Sequence, residues 1–242
     1  QERLQASARL ATVGEMASLM SHELNQPLAV IASYANGSLN LLQAAAGEQA
    51  HARELRTALE RIAEQAGRAG KVIHSVRDLV RERSTARQAV APQALVDTVL
   101  PLVQLQARKL GARVQVDVAP DLPAVWCEPT MIEQVLLNLA RNGLQAMAEA
   151  LGARVLSLQV RVLAPAAGQA VLEFRVADTG EGIDDAVAEH LFTPFFTTKP
   201  EGMGLGLSLC RTVIEQHGGT LRHATQAPRG TVFSFTLAAA VG

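Results

Sequence analysis

Asn138 and Asn142 stand four residues apart, a spacing that puts both amides on one face of a helix. A neutral amide oxygen suits magnesium, which keeps most of its waters and takes one or two protein groups. Asp178-Thr-Gly180-Glu-Gly182 offers a carboxylate that can accept a hydrogen bond from an exocyclic amine such as that of adenine, with glycines that let backbone approach a planar ligand. Gly202-Met-Gly204-Leu205-Gly206-Leu207 leads into a helical pattern. Glycines before a helix N-terminus expose backbone N–H groups and the positive end of the helix dipole, a common way to hold phosphates. Just ahead, Phe192-Thr-Pro-Phe195-Phe196-Thr-Thr-Lys199 brings aromatics that can pack a flap and one of only three lysines in the chain, able to meet a phosphate as a point charge. Taken singly, each string has a plainer reading as solvated surface, tight turn or core. The glycine triplet is not a dinucleotide fingerprint, because no strand and downstream acidic residue frame it.

A different chemistry is written near the other end, in Ser21-His22-Glu23-Leu24-Asn25-Gln26-Pro27. Neutral imidazole is a competent nucleophile near pH 7, its unperturbed pKa being about 6.5. A neighbouring carboxylate can hold the ring and take the proton from its other nitrogen as a phosphoryl group arrives. Successive helix residues do not ordinarily face each other, so Glu23 beside His22 is a possible geometry and not a given one. His51, His74, His190, His217 and His223 read as structural or solvated.

The elements that must position these groups fall into two textures. Residues 1–84 hold one proline, Pro27, and are rich in good helix formers. Leu55, Leu59, Ile62, Ala66, Ala69, Ile73, Val76 and Val80 alternate steps of four and three, a heptad seam. An upstream stripe runs through Leu10, Ala17, Leu24 and Ile31 at intervals of seven. A turn at Ala46 to Gln49 gives two antiparallel helices, and the seam, too large for a lone hairpin to cover, predicts a dimer that closes a four-helix bundle. A helical linker packed on the second half is the alternative. Residues 85–92 read as a linker. From residue 93 to 242 short strands and helices alternate: helices at Ala94–Leu110, Met131–Ala150 and Gly206–His217, and strands at Val114–Val118, Val155–Leu163, Ala170–Asp178, Thr220–Ala224 and Thr231–Leu237. Pro101 is expected to interrupt the first helix. Strands arriving in pairs with helices between them predict a mixed sheet with helices on one face, an α/β sandwich.

Composition narrows the function classes. The 242 residues carry 22 basic and 23 acidic side chains, and 48% are hydrophobic. That is enough for a real core, and it leaves no excess positive field for nucleic acid or an anionic membrane. Cys127 and Cys210 stand far apart with no spaced partners, which suggests neither zinc nor a disulfide framework and favours a reducing, cytoplasmic setting. No apolar run is long enough to span a bilayer. The chain begins at Gln1, as a piece of something longer would.

The ordered set of strings resembles the catalytic core of two-component sensor histidine kinases. The resemblance covers nearly the whole chain: Ser21–Leu28 as the histidine box, Glu133–Met147 as the asparagine box, Asp178–Gly182 and Gly202–Leu207 as glycine boxes, Phe192–Phe196 as the phenylalanine box, and Gly230-Thr231 as a final glycine segment. The wording of the first box and of Phe-Phe-Thr-Thr-Lys-Pro is similar to oxygen-sensing and dicarboxylate-sensing members. The resemblance implies a helical dimerisation and phosphotransfer hairpin followed by an ATP-binding α/β sandwich of the family shared with gyrase and chaperone ATPases. It implies His22 as phosphoacceptor, Glu23 as general base, and ATP with Mg2+ as cofactors. Asn142 would coordinate the metal with Asn138 beside it. Asp178 would read the adenine, with Gly180 and Gly182 shaping the pocket. Lys199 and the backbone of Gly202, Gly204, Leu205 and Gly206 would meet the phosphates, with Thr193 to Met203 as a lid. It also implies a homodimer through the hairpin, a response-regulator receiver domain as partner, and a sensor domain upstream of this chain.

Two departures stand out. Gly143 replaces the Ala common in the asparagine box, which is expected to loosen the helix. Gln26 stands where kinases that also dephosphorylate their partner often carry Thr or Asn. A catalytically silent nucleotide-binding docking module is the alternative function. An ATPase of the chaperone or mismatch-repair type is disfavoured, because Asn138 stands where those enzymes use a glutamate to activate water.

Overall fold

The computed structural model describes residues 27–40, 48–80, 86–150, 152–163, 170–199 and 204–240, with the backbone alone at 48–52, 68 and 71–80. The chain divides into two compact units, Gln1–Glu82 and Arg83–Gly242. His22, Glu23 and Gln26 lie outside the described residues, as do Leu10, Ala17, Leu24 and Gly202. Among the described residues no helix is long and apolar enough to cross a membrane.

In the first unit, residues 27–40 form helix α1 and Glu48–Val80 form helix α2, whose backbone carries the whole heptad seam. Glu48 and Gln49, read as part of the turn, already belong to α2. Ala58 and Ala69 are buried, yet Leu59 is 62% exposed and Leu28 and Leu39 are more than half exposed. Leu59 of the seam and Leu28 and Leu39 of α1 are thus exposed apolar surface among the described residues.

The second unit begins with strand β1 (Gln88–Val90) and helix α3 (Pro92–Lys109), followed by β2 (Arg113–Val118), β3 (Val125–Cys127) and helix α4 (Pro129–Ala146). Next come β4 (Val155–Leu163), β5 (Val171–Ala177), the single turn α5 (Asp185–Ala188), helix α6 (Gly206–Gln216), β6 (Leu221–Thr225) and β7 (Thr231–Ala238). Five strands make one sheet in the order β2-β4-β5-β7-β6, with β2 and β4 parallel and every other pair antiparallel. Alternation along the strands decides which face is covered. Leu156, Leu158 and Val160 of β4, Leu172, Phe174 and Val176 of β5, and Phe235 and Leu237 of β7 are buried, whereas Glu173, Arg175, Ser234 and Thr236 between them are not. Phe174 and Phe235 are register partners and stack at 4.9 Å between ring centroids. Against this face pack the apolar sides of α3, α4 and α6, with Leu95, Val99, Ile132, Leu136, Leu139 and Ile214 almost fully buried. The expected mixed sheet with one helical layer is thus the fold of this unit.

Helices α3 and α4 both open on a proline that follows an extended residue, where the fixed ring φ and missing N–H cost nothing. Pro101, expected to interrupt this helix, lies inside α3, which runs on through it. It lies on the exposed side while Val99 and Val103 beside it are anchored in the core. Two strands were not expected. β1 lies inside the stretch read as a linker, and it pairs antiparallel with β3, Gln88 opposite Cys127 and Val90 opposite Val125. Three residues are too few to show an alternation, so these strands are made by pairing and not by local pattern.

Gly219, between α6 and β6, is demanded by sterics, since a Cβ there would fall 1.9 Å from the Thr236 carbonyl oxygen. The Gly219→Ala variant is therefore expected to lose about 3 kcal/mol or more of unfolding free energy, read as a lower denaturant midpoint at unchanged slope.

Candidate nucleotide-binding site

Asp178 follows β5 directly, and only 3% of it is exposed. Its Oδ1 accepts the Gly180 N–H at 2.8 Å and the Thr231 N–H at 3.3 Å, which leaves Oδ2 free of both donors. The Asp178 N–H donates to the Thr231 carbonyl at 2.9 Å, extending the β5–β7 ladder to this point. Burial holds the carboxyl above the usual aspartate range, opposed by those two N–H groups and by the Lys199 charge.

The turn after it is fixed from several sides. The Thr179 hydroxyl donates to the Ala153 carbonyl at 2.7 Å and accepts the Val155 N–H at 3.0 Å. Arg229 Nε donates to the Gly180 carbonyl at 3.1 Å. Gly230, with φ of +116°, lies so near that a Cβ would fall 2.0 Å from the Asp178 carbonyl oxygen. Only a glycine lets the β6–β7 turn reach the aspartate and present Thr231 to it.

Helix α4 runs alongside, with Asn138 and Asn142 both half-buried. Asn138 hydrogen-bonds through its side chain to Cys210 of α6; burial pushes that thiol up to about 12, and the Asn138 contact works the other way. The thiol is thus an inert packing group. Lys199 Nζ donates to Gln145 Oε1 at 2.8 Å, which brings the lysine to the exposed side of α4. Partial loss of water lowers its pKa from the usual lysine value, as does the Arg141 charge, while Asp178 opposes them.

The aromatic and glycine strings meet at one crossing. The Phe195 N–H donates to the Gly204 carbonyl at 3.0 Å, and a Cβ on Gly204 would fall 2.3 Å from the Phe195 carbonyl carbon. Phe195 adopts a φ of +65°, strained for a bulky residue and held by that contact. Leu205 then caps α6 without any side-chain hydrogen bond, and a Cβ on Gly206 would meet nothing within 4 Å. Among the described residues no side chain caps the first N–H groups of α6, the condition for an anion to take them. Phe192 packs under the Arg211 guanidinium, 4.5 Å from its ring centroid.

Among the described residues no three His, Cys, Asp or Glu side chains gather as a metal site. A cation held here by amide and phosphate oxygens would have an all-oxygen donor set, of the kind that suits magnesium, calcium or manganese.

Asp178, Gly180, Gly182, Lys199 and the α4 asparagines therefore share one side of the second unit, and Gly204, Leu205 and Gly206 form the approach to α6. Several participants had no role in the sequence reading, Thr231 being named there only within a final glycine segment. Thr231 is 3% exposed and supplies a main-chain donor, which no side-chain type signals. Gln145 and Arg229 act through a partner distant in sequence. His217, read as structural or solvated, is structural: its Nδ1–H donates to the Val213 carbonyl at 2.7 Å, and its Nε2 accepts the Glu128 N–H at 3.1 Å, at the start of α4.

A two-layer ATP-binding domain is what this architecture defines, and residues 127–241 match the family described as histidine kinase-, DNA gyrase B-, and HSP90-like ATPase. Residues 12–85 match the His Kinase A (phospho-acceptor) domain, and with both halves in order the chain carries the core of a two-component histidine kinase. It is 44% identical over 98% of its length to the C4-dicarboxylate transport sensor protein DctS of Rhodobacter capsulatus, covering 35% of that protein. It is 39% identical over 99% of its length to the sensor protein FixL of Bradyrhizobium diazoefficiens, covering 46% of it. The chain thus spans less than half of either relative. Among solved structures, the catalytic domain of histidine kinase ThkA superposes with a TM-score of 0.56 at 28% identity, covering 64% of this chain and 97% of that one.

His217 makes one pH prediction. Burial lowers its pKa in the fold, with the nearby Arg87 charge acting the same way and the Val213 carbonyl and Glu128 opposing. A histidine held neutral adds stability that is complete above the unfolded value of about 6.5 and is lost as pH falls from there through the folded value. Unfolding titrations from pH 8 to 5 are expected to show that decline, and His217→Gln to flatten it while starting about 1 kcal/mol lower.

Proposed function

We propose that this chain autophosphorylates His22 from ATP and passes the phosphoryl group to an aspartate of a response-regulator receiver domain. The observation that carries the reading is the pairing, in one chain, of a phospho-acceptor domain that spans His22 with an ATPase domain whose buried Asp178 keeps a carboxylate oxygen clear of its own backbone donors.

The division of labour follows from the chemistry of each group. Asp178 Oδ2 accepts the exocyclic amine of adenine, and Gly180 and Gly182 let the base lie against backbone. Asn142 would hold magnesium, and Asn138, one turn away, would help once it leaves Cys210. Bound there, magnesium would neutralise charge on the triphosphate. Lys199 leaves the neutral Gln145 for the phosphates, and the backbone of Gly202, Gly204, Leu205 and Gly206 donates to them. Residues 193–203 close over the nucleotide as a lid.

In the transfer, a ring nitrogen of His22 attacks the γ-phosphorus as its bond to the bridging oxygen breaks and ADP leaves. Glu23 takes the proton from the other ring nitrogen. The protein's contribution is positioning and charge neutralisation. The uncovered apolar residues of α1 and α2 support a homodimer closing a four-helix bundle, with the regulator docking on the hairpin near His22. A sensor domain would precede this segment.

Incubation with magnesium and γ-labelled ATP is expected to give acid-labile, alkali-stable label that disappears in His22→Gln. Absence of label despite ATP binding would return the chain to a silent docking module. Asp178→Asn places an amide N–H where the adenine amine must donate. It is expected to weaken nucleotide binding by about ten- to a hundredfold while leaving the unfolding midpoint at pH 7 equal or higher.

A further inference from the structure

Gly143 follows Asn142 directly and lies where α4 meets the sheet. A Cβ built on it would stand 2.8 Å from Leu156 Cδ1, 3.2 Å from Asp178 Cβ and 3.4 Å from Asp178 Oδ2. Three residues on, the same side of the helix meets the turn again: a Cβ on Gly180 would fall 2.7 Å from the Ala146 carbonyl oxygen and 2.9 Å from Ala146 Cβ. Two missing methyl groups, one on the helix and one on the turn, therefore set how deep α4 lies against Asp178. Leu156 is fully buried, so its Cδ1 has no empty space to retreat into.

Helix formation does not explain the glycine, because in a helix interior it is less favourable than alanine. Nor does it act by loosening α4, as the sequence suggested: the helix is continuous through Gly143, which is itself buried. We propose that Gly143 is a positioning residue for the nucleotide: by letting Leu156 pack beneath the Asp178 carboxylate, it fixes the distance between the group that reads the base and the asparagine that holds the metal. This rests on the roles given above to Asp178 and Asn142. An added methyl at 143 must push Leu156, Asp178 or the helix, and each of these moves one end of the nucleotide's frame against the other.

The test is a double-mutant cycle on the whole chain, with magnesium-ADP affinity read by titration calorimetry and thermal midpoints read in parallel. G143A is expected to weaken binding about tenfold. Adding L156V, which removes the obstructing Cδ1, is expected to recover most of that loss. A G143A chain that melts earlier but binds as the parent does would overturn the proposal, because mere packing predicts that result. So would a loss that L156V does not recover. Should G143A alone fail to fold, the comparison moves to the L156V background, where G143A/L156V must bind within about twofold of L156V, and a larger loss again counts against it. The D178N chain separates the two levels of the reading. If D178N binds normally, the base-reading role falls and the proposal with it; if D178N loses binding while G143A does not, only the role of Gly143 falls.

Discussion

A carboxylate must be buried at the end of β5 without being neutralised there, and much of the second unit is arranged around that requirement. Among the described residues no cationic side chain hydrogen-bonds Asp178; its partners there are main-chain N–H groups converging on a single oxygen. One donor comes from its own turn and the other from β7, so the site exists only where the β5–β7 ladder is in register. Gly230 is what allows the second donor to arrive, since any side chain at that point would collide with the Asp178 carbonyl. Sheet register, turn geometry and a glycine with positive φ thus converge on one oxygen atom, and the other remains to recognise a ligand.

Such an arrangement does not stabilise the fold. With its folded pKa raised by burial, Asp178 binds its proton more tightly in the fold than in the unfolded chain, and it subtracts from stability as pH rises through the carboxylate range and above. Folding alone would be served as well by a neutral amide of the same shape. A strained and destabilising group held by several independent contacts is the physical mark of a functional position. Phe195 carries a second such mark, a bulky residue held at positive φ against Gly204. The two lie in the strings to which the proposed function assigns the base and the phosphates.

What was legible in the sequence follows from the range of the interactions involved. The heptad steps from Leu55 to Val80 and the alternation in β4, β5 and β7 are local, and the structure keeps those elements with ends shifted by a residue or a few. The site strings could be picked out as well, because a carboxylate followed by glycines, or glycines before a helix, point to a chemistry within five or six residues. β1 and β3 were not legible: each is three residues long and exists only by pairing across an intervening helix and strand. Thr231 contributes a backbone N–H, which every residue but proline owns, so nothing in its type could have marked it. Lys199 was singled out as a phosphate contact, but its rest position on Gln145 depends on how the aromatic segment returns to α4, and spacing does not encode that return.

Helix α4 links these observations, since within eight residues it carries Asn138, Arg141, Asn142, Gly143 and Gln145. Asn138 meets Cys210 of α6, Gly143 meets Leu156 of β4, and Arg141 and Gln145 both act on Lys199. A rigid helix converts these contacts into fixed distances, because its rise per residue is set at about 1.5 Å by its hydrogen bonds. His217 adds to this by tying the first turn of α4 to the end of α6, the helix whose N-terminus the glycine segment approaches. Displacement of α4 by an ångström would therefore alter the proposed base contact, metal contact and phosphate approach together. That shared dependence gives a reason for small residues where α4 meets the turn: they let it sit at a depth fixed by backbone and by a buried leucine, neither of which can drift.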